Sequence, residues 1–420
     1  MISAVNNLCS VVRKLRVWGI KGVLGYIPRR IEALRFRAFL RENYKRHSST
    51  TPQRGITVIA PISMGYSNSK TVRDFLYALK ASGIPFQSLD INTRHDVIAS
   101  DYADILTPQA DFNIRKYDHV VEMFRSPLPD GMVPCRARIA FWEGEHGLLE
   151  TFPYLKSADP VIAMSDFNYT DFRNELPPET PVFKILYPLQ RVSADMDDQQ
   201  ATRARYGIGK DDFVVFFNFD LGSFFRKNPI GAMRAFAQAL GTVPKAKLVF
   251  KLNLAKDFPE RIDMLKAEAA KLGILDKLIL VTGYIPRKDV YGLTNACDVY
   301  ISLHRAEGFG IGVAEAMQLG KPVIVTDYSS TTEFCNADNA IPIPYRLVPI
   351  QNGEYFAAMQ AWADADVDAA AAALRKCHDN AVYRAEIGRK GKAFVEEHFS
   401  TANFRKSVEA FLDATSILPH

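Results

Sequence analysis

The segment around residue 310 carries the densest set of side chains suited to holding an anion. Glu307 and Glu315 flank glycines at 308, 310 and 312, an apolar run precedes them and a helical pattern follows. Glycines let the backbone approach a ligand closely, and the following helix N-terminus directs unpaired N–H groups at a phosphate. Carboxylates accept hydrogen bonds from hydroxyl groups, which suits sugars. A tight turn between a strand and a helix gives the same glycine pattern without a ligand, so both interpretations stay open.

Three cations and a histidine stand at the ends of predicted strands. Arg226 and Lys227 follow the apolar run 213–219, and Lys251 ends the run 247–252. Ligands gather at the carboxyl edge of an open parallel sheet, so these cations are candidates for neutralising a phosphate; solvated surface residues are the alternative for Arg226 and Lys251. His304, between a strand and the glycines, either touches the ligand or bonds to the backbone.

Two series of alternating strand and helix patterns must position these residues. Predicted helices separate the strands within each series, which indicates βαβ units and parallel sheets. The predicted strands cover 55–63, 84–91, 119–124, 138–142, 161–164 and 182–186 in the first series, and 213–219, 247–252, 278–281, 299–303 and 322–326 in the second. We therefore predict an α/β protein with two Rossmann-like, doubly wound domains that face each other across a cleft.

Composition narrows the class of protein. The 420 residues are 48% hydrophobic and 24% charged, which excludes a disordered, collagen-like or coiled-coil chain. The sequence contains no run of 18 apolar residues, so no membrane-spanning helix is predicted. Five scattered cysteines without a CxxC pair argue against a disulfide framework and favour a reducing compartment.

Asp364 and Asp366 have DxD spacing, but they lie at the edge of an Ala-rich helix rather than after a strand, so we expect no metal.

The N-terminal segment is strongly basic. Residues 1–46 contain eleven Lys or Arg and two Glu, a net charge of +9 in a chain of +5, which leaves −4 for residues 47–420. Residues 11–46 interleave these cations with aromatic and aliphatic side chains, a pattern typical of helices that lie on anionic membranes. An ordinary helix packed on the first domain is the alternative. No nucleic-acid module accompanies the charge, so no nucleic-acid partner is expected.

The frame HRAEGFGIGVAEAMQLGKPVIVTDYS, over 304–329, resembles the Glu-x7-Glu signature of family-4 retaining glycosyltransferases, which have the GT-B fold. The resemblance covers roughly 56–412. RKNP at 226–229 is similar to the family's phosphate-contacting segment, and TGYIP at 282–286 to the loop that holds the nucleotide base. Trp362-Ala363 and 384–400 resemble its closing helices. Likeness in the first half is fainter, at 141–143 and 165–167.

Carried over to this sequence, the resemblance implies a donor site. Glu315 would bind the ribose hydroxyls, Glu307 would face the donor sugar, and Lys227 would neutralise the departing diphosphate. The family often has another Arg directly after the strand, where this chain has Asp220 to Ser223. Arg226 is a candidate to replace it. Glu307, Lys227 and His304 form the predicted catalytic set, and the remaining donor-side residues are Glu315, Gly308, Phe309, Gly310, Arg226, Lys251, Tyr284 and Ile285.

The acceptor would lie on the side of the first domain. The candidates are residues of its loops, Gly65, Tyr66, Glu143, Glu145 and His146. The two glutamates have a solvated surface loop as their alternative. We predict four segments: a basic amphipathic helical segment (1–46), an acceptor-side domain (47–188), a nucleotide-sugar-binding domain (189–400) and a C-terminal helix that crosses back to the first domain (401–420).

The function that follows is a retaining, metal-independent glycosyltransferase. It would transfer a hexose, of the mannose or glucose type, from a nucleoside-diphosphate sugar to a lipid-linked glycan acceptor in surface polysaccharide or glycolipid synthesis. We expect it at the cytoplasmic face of a membrane, bound through residues 11–46 and without a cofactor. The alternatives are a nucleotide-sugar epimerase of the same fold and a non-catalytic relative that binds sugar nucleotides. The intact pair Glu307 and Glu315 argues against the latter.

Overall fold

The computed structural model describes residues 34–63, 67–91, 100–123, 128, 132–142, 147–152, 155, 159–192, 198–350 and 361–416. The predicted acceptor residues Gly65, Tyr66, Glu143, Glu145 and His146 lie outside these ranges, as do the first 33 residues.

Six strands form the first parallel sheet, in the order β2-β1-β3-β4-β5-β6. Each strand falls within a few residues of a predicted one. The strands are β1 Gln53–Ala60, β2 Phe86–Asp90, β3 Tyr117–Met123, β4 Cys135–Ile139, β5 Val161–Ala163 and β6 Val182–Lys184.

A second parallel sheet has the order β12-β11-β10-β7-β8-β9. Its strands are β7 Phe213–Asp220, β8 Ala246–Asn253, β9 Leu278–Thr282, β10 Val299–Ser302, β11 Val323–Thr326 and β12 Ile341–Ile343. The strand order reverses between β7 and β10, which pair directly through Val299 and Val215. Such a reversal opens a crevice at the carboxyl ends of the two strands, where ligands bind in folds of this kind.

The helices begin at residues suited to that position. Asn228, with φ of 50°, caps α7 by accepting from the Gly231 amide at 3.1 Å, and Pro229 follows at the first helical position. The helices are α1 over 34–46, α2 Ser67–Ser82, α3 Leu148–Thr151, α4 Asp166–Glu175, α5 Gln199–Arg205, α6 Phe224–Lys227, α7 Pro229–Leu240, α8 Pro259–Lys271, α9 Arg287–Ala296, α10 Ile311–Gln318, α11 Val367–Asp379, α12 Ala381–His398 and α13 Thr401–Thr415.

The sequence analysis missed strand β12 and an antiparallel hairpin. The hairpin consists of β13 Tyr345–Pro349 and β14 Ala361–Ala365. The prediction that Trp362 and Ala363 belong to a closing helix is therefore wrong. Their side chains are buried in the extended strand β14, and the Ala363 amide donates to the Arg305 carbonyl at 2.9 Å. The predicted closing helix at 384–400 is confirmed as α12, which ends at His398.

The described part of the basic segment packs as a helix on the first sheet's core. Leu40 is fully buried in a cluster with Phe112 and Val120, and Phe36 and Phe39 pack against that cluster. Asn43 is buried too and bonds to the Phe112 carbonyl at 2.7 Å. For 34–46 the alternative of a helix packed on the first domain is thus confirmed.

By its internal packing the chain divides into two units, Met1–Ile139 with Leu412–His420, and Ala140–Phe411. This division falls earlier than residue 188, and the four predicted segments remain a prediction. The end of α13 belongs to the first unit, where Thr415 bonds to His119 at 2.8 Å. Across the residues that the structure describes, no helix is long and apolar enough to cross a membrane.

Candidate functional site

The candidate site lies in the second unit, where β7 and β10 end side by side. The segment α6, with Arg226 and Lys227, follows β7, and the loop 303–310 follows β10 and leads into α10. Because the two strands are neighbours at the point where the strand order reverses, these segments emerge at the same edge of the sheet. We call the loop 303–310 the donor loop, after the role that the sequence resemblance predicts for it.

Glu307 is the centre of the charge arrangement. Its side chain is 7% exposed, Arg226 donates to Oε2 at 3.1 Å, and the Lys227 ammonium pairs with Oε1. Burial by itself would raise the pKa of Glu307, but Lys227 and Arg226 outweigh it and bring the pKa to about 2. Glu307 is therefore a carboxylate across the physiological pH range. The Ser329 hydroxyl accepts from its amide at 2.8 Å and fixes the loop.

Arg226 is a buried residue, so the alternative of a solvated surface arginine is wrong. Its residue surface is 7% exposed, and besides Glu307 it donates to the Ala306 carbonyl at 2.7 Å. The predicted replacement for the missing arginine therefore does lie at the donor loop, together with Lys227.

Glycine is required at two positions of the turn into α10. Gly310 has φ of 97°, and a Cβ there would lie 2.5 Å from the Thr331 methyl. A Cβ on Gly312 would collide with the Tyr300 hydroxyl and lie 2.7 Å from Asn218 Oδ1. The start of α10 thus lies directly on the side chains of β7 and β10, with no side chain capping it.

Glu315, in α10, is 6% exposed and held from α9. The Tyr291 hydroxyl donates to its Oε1 at 3.2 Å, and Arg287 Nη2 lies 3.3 Å from the same oxygen. Sequence reasoning missed both partners. They lie 24 and 28 residues away from Glu315 and no motif joins them.

His304 is fully buried and bonded at both ring nitrogens. Nδ1 lies 3.1 Å from the Ser302 hydroxyl, and Nε2 lies 3.3 Å from both the Tyr328 carbonyl and the Thr331 hydroxyl. Burial lowers the pKa of His304 to about 4, with Glu307 opposing the shift. The ring is therefore neutral at physiological pH and links the donor loop to the turn at Ser329–Glu333.

Phe309 points into an aromatic cluster. Its ring stacks on Tyr187 with centroids 3.8 Å apart, and Phe334 and Phe399 lie within 5.4 Å. The Gly308 carbonyl accepts from Ser165 at 3.4 Å, and a Cβ at Gly308 would be 3.5 Å from Phe141. Backbone groups, rather than the Phe309 ring, are what this part of the loop offers a ligand.

Lys251 lies on β8 beside Asn218 of β7. Because it is buried, the alternative of a lysine on the surface is wrong. It is 3% exposed and pairs with Asn253, and burial lowers its pKa to about 8 although Asp220 opposes the shift. Asn218 in turn accepts from Tyr300 at 2.6 Å, next to Gly312. Tyr284 is 62% exposed and Ile285 partly buried, in the loop that leads into α9.

Metal ligands are not grouped in the described residues: none of the His, Cys, Asp and Glu side chains there form a set of three or more that could hold an ion. Asp364 pairs with Arg305 at 3.2 Å, and Asp366 caps α11 by accepting from the Ala369 amide at 3.0 Å. Asp364 lies in β14 and Asp366 directly follows that strand, so the expectation that this pair does not follow a strand is wrong. Both aspartates nevertheless have structural roles.

Two parallel six-stranded sheets flanked by helices define the GT-B fold. Solved structures agree: sucrose-phosphate synthase from Thermosynechococcus elongatus matches 86% of this chain and 99% of its own, with a TM-score of 0.63 and 15% identity. HepE from Anabaena, in complex with UDP and glucose, matches 86% and 100%, with a TM-score of 0.59 and 16% identity. WaaG, a glycosyltransferase involved in lipopolysaccharide biosynthesis, also matches 86% and 100%, with a TM-score of 0.55 and 16% identity.

The family comparison concerns the second unit. Residues 198–343 match the model of the family Glycosyl transferases group 1, and this stretch includes Lys227, Glu307 and Glu315. A stretch of 69 residues, 16% of this chain, is 36% identical to the lipopolysaccharide core biosynthesis mannosyltransferase LpsB of Rhizobium meliloti (strain 1021). That stretch spans only 19% of the relative's length.

Proposed function

We propose that this protein is a retaining, metal-independent glycosyltransferase. It moves a hexose of the mannose or glucose type from a nucleoside-diphosphate sugar to a lipid-linked glycan acceptor in surface polysaccharide or glycolipid synthesis. The observation that carries the proposal is the placement of Glu307 between Lys227 and Arg226 at the start of the glycine turn into α10. The matched family domain and the relatives in lipopolysaccharide synthesis support it.

The cations supply the electrostatic part of the reaction. Breaking the anomeric C–O bond places negative charge on the departing diphosphate and positive charge on the sugar. Lys227 and Arg226, already fixed by Glu307, stabilise the diphosphate, and the backbone amides at the start of α10 add to this. Since these groups are positioned before the reaction, little reorganisation accompanies bond breaking.

Glu307 acts as an ionised group throughout. With a pKa of about 2 it does not donate or accept a proton near neutrality. Its role in the proposed reaction is to orient the two cations and accept hydrogen bonds from donor-sugar hydroxyls. The leaving diphosphate takes the acceptor's proton, as the family resemblance implies.

Glu315 would bind the ribose hydroxyls, with Tyr291 and Arg287 fixing the carboxylate in α10. His304, fully buried and neutral, is in this proposal a positioning residue that holds the donor loop against the Ser329–Glu333 turn. The exposed Tyr284 and the neighbouring Ile285 would contact the base. Lys251 would add a cation below the start of α10.

The basic segment is proposed to bring the enzyme to the cytoplasmic face of an anionic membrane. Outside its packed residues, α1 carries five exposed cations: Arg35, Arg37, Arg41, Lys45 and Arg46. Glu42 is the carboxylate among them and pairs with Arg46 at 3.1 Å. Basic surfaces of this kind are attracted to anionic lipid headgroups by about 1 kcal/mol per cation.

A thermal-shift and transfer experiment tests the function. The full chain is heated with UDP-glucose, GDP-mannose, ADP-glucose or free hexose, in the presence of EDTA. We expect one nucleotide sugar to raise the melting temperature, since a ligand at 100 times its dissociation constant adds about 2.7 kcal/mol, and free hexose to have no effect. Glu315→Gln should lose most of the shift.

The product of the stabilising donor is then examined by NMR. Transfer with retained anomeric configuration is expected. Stabilisation by none of the nucleotide sugars, a strict requirement for manganese, or an inverted product would each refute the corresponding part of the proposal.

A further inference from the structure

Arg305 is the residue at which three segments of the second unit meet. It begins the part of the donor loop that leads to Glu307, and it contacts both α6 and the hairpin β13–β14. Its side chain is 22% exposed, so the guanidinium is largely removed from water.

On one side Arg305 holds α6. Its amide donates to the Arg226 carbonyl at 2.8 Å, and Nη1 donates to the Phe225 carbonyl at 3.1 Å. The helix α6 is a single turn, Phe224–Lys227, and one turn does not hold its own conformation in water. The position of Lys227 therefore depends on tertiary bonds such as these.

On the other side Arg305 is anchored by β14. Asp364 Oδ1 accepts from Nε at 3.3 Å and from Nη2 at 3.2 Å, and the guanidinium lies 5.0 Å from the Trp362 ring centroid. The Arg305 carbonyl accepts from the Ala363 amide at 2.9 Å. A planar fork is suited to this set of partners, which the point charge of a lysine cannot reproduce.

The two arginines near Glu307 thus have different partners. Arg226 bonds to the Glu307 carboxylate, whereas the bonds of the Arg305 guanidinium go to Phe225 and Asp364. Arg305 acts on the backbone that carries the cations, and Arg226 and Lys227 act on the carboxylate.

We propose that Arg305, anchored by Asp364, is a positioning residue that fixes α6 against the donor loop, so that Lys227 and Arg226 meet the β-phosphate of the donor. The role in donor binding rests on the proposed function. The hairpin β13–β14 becomes part of the donor site through this link, although neither strand is included in the glycine motif.

The functional test compares a nucleoside diphosphate with its monophosphate. Arg305→Lys and Asp364→Asn are prepared in the full chain, and binding of UDP, GDP and ADP and of UMP, GMP and AMP is measured by calorimetry. For the nucleoside that the wild type prefers, we expect at least tenfold weaker diphosphate binding and less than a twofold change for the monophosphate. Equal losses for both ligands, or no loss, would overturn the role in phosphate positioning.

Arg346→Gln is the matched control. Arg346 lies 3.9 Å from the other oxygen of Asp364, but its side chain is 81% exposed. This variant should bind both ligands as the wild type does. A loss equal to that of Arg305→Lys would mean that any charge change at Asp364 has the effect, and would also overturn the proposal.

A second measurement, without any ligand, separates this inference from the proposed function. Hydrogen exchange of the Asn228 amide, which bonds to the Phe224 carbonyl, reports on α6. We expect at least tenfold faster exchange in Arg305→Lys and Asp364→Asn, with α11 unchanged. If the exchange accelerates but the wild type binds no nucleoside diphosphate, the proposed function fails and the positioning of α6 stands. Unchanged exchange refutes the positioning even if donors bind.

Discussion

The cations of α1 and those of α6 represent two opposite uses of the same residue types. On α1, Arg37 and Arg41 project from a helix whose other face is packed, and they remain exposed. In α6, Arg226 and Lys227 are largely buried and both bind one carboxylate. A charge in water is weakly coupled to its neighbours, whereas a buried charge depends on a specific partner. We therefore expect single substitutions to have large effects at the donor loop and small, additive effects on α1.

The largest effect is expected from Glu307→Gln. This change leaves Lys227 and Arg226 without their shared carboxylate, and breaking a buried pair costs about 3–5 kcal/mol. Chemical unfolding of the variant should show a loss of this order. Transfer activity should fall more than a hundredfold, because the cations are no longer fixed.

Arg41→Gln, on α1, is the comparison for this measurement. An unfolding free energy for Glu307→Gln within 0.5 kcal/mol of wild type would contradict the buried pair. Such a result would mean that the charges at the donor loop, like those on α1, are only weakly coupled to their neighbours.

A pH experiment follows from His304. Its pKa is about 4 when folded and 6.5 when unfolded, so the unfolded state binds the proton first as the pH falls. The contribution of the neutral His304 ring to the free energy of unfolding is complete above pH 6.5. It is lost as the pH falls from 6.5 to 4, by about 3 kcal/mol in total. The wild type should lose more unfolding free energy between pH 7 and 5 than His304→Gln does. Parallel curves for the two proteins would show that His304 is not a buried neutral ring.

Glu315→Gln should weaken donor binding without a comparable loss of stability. A hydrogen bond to a charged group contributes about 1.5–3 kcal/mol, so the dissociation constant of the preferred nucleotide sugar should rise roughly tenfold to a hundredfold. Calorimetry measures this directly, with Tyr291→Phe as a milder variant that keeps the carboxylate. An unchanged constant for Glu315→Gln would remove Glu315 from the donor site.

The smallest effect is expected on α1. Arg41→Gln should reduce partition onto vesicles of phosphatidylserine and phosphatidylcholine by about 1 kcal/mol, roughly fivefold, and leave stability within 0.5 kcal/mol. Arg389→Gln removes a cation that is also exposed, on α12, and should leave the partition unchanged. Equal losses for both variants would show that net charge, and not the face of α1, governs vesicle binding.

Sequence patterns predicted the strands, helices and turns that neighbouring residues determine. The run 213–219 is β7 extended by one residue, and Pro229 to Leu240 is α7 as predicted. The glycine turn and the two glutamates also lie where the spacing places them. Each of these features is determined by neighbouring residues, such as apolar runs, a proline at the first helical position, or glycine at positive φ.

The contacts that complete the site could not be read from the sequence. Arg305 and Asp364 are 59 residues apart, Tyr291 and Glu315 are 24 apart, and the hairpin strands are short and partly polar. Such pairs depend on which elements the fold brings together. The burial of charged side chains could not be predicted either. Arg226 and Lys251 are of residue types that usually lie on the surface, but neighbours distant in the chain bury them.

The closeness of Gly312 to Tyr300 and Asn218 has a consequence for protein engineering. Since the backbone at the start of α10 rests on β7 and β10 without space for a methyl group, a randomised library across 308–312 would consist mostly of misfolded members. Tyr284 is 62% exposed and follows a glycine with nothing near its Cβ position. Under the proposed function, in which Tyr284 contacts the base, a library intended to change the choice of nucleotide is better placed at this exposed position.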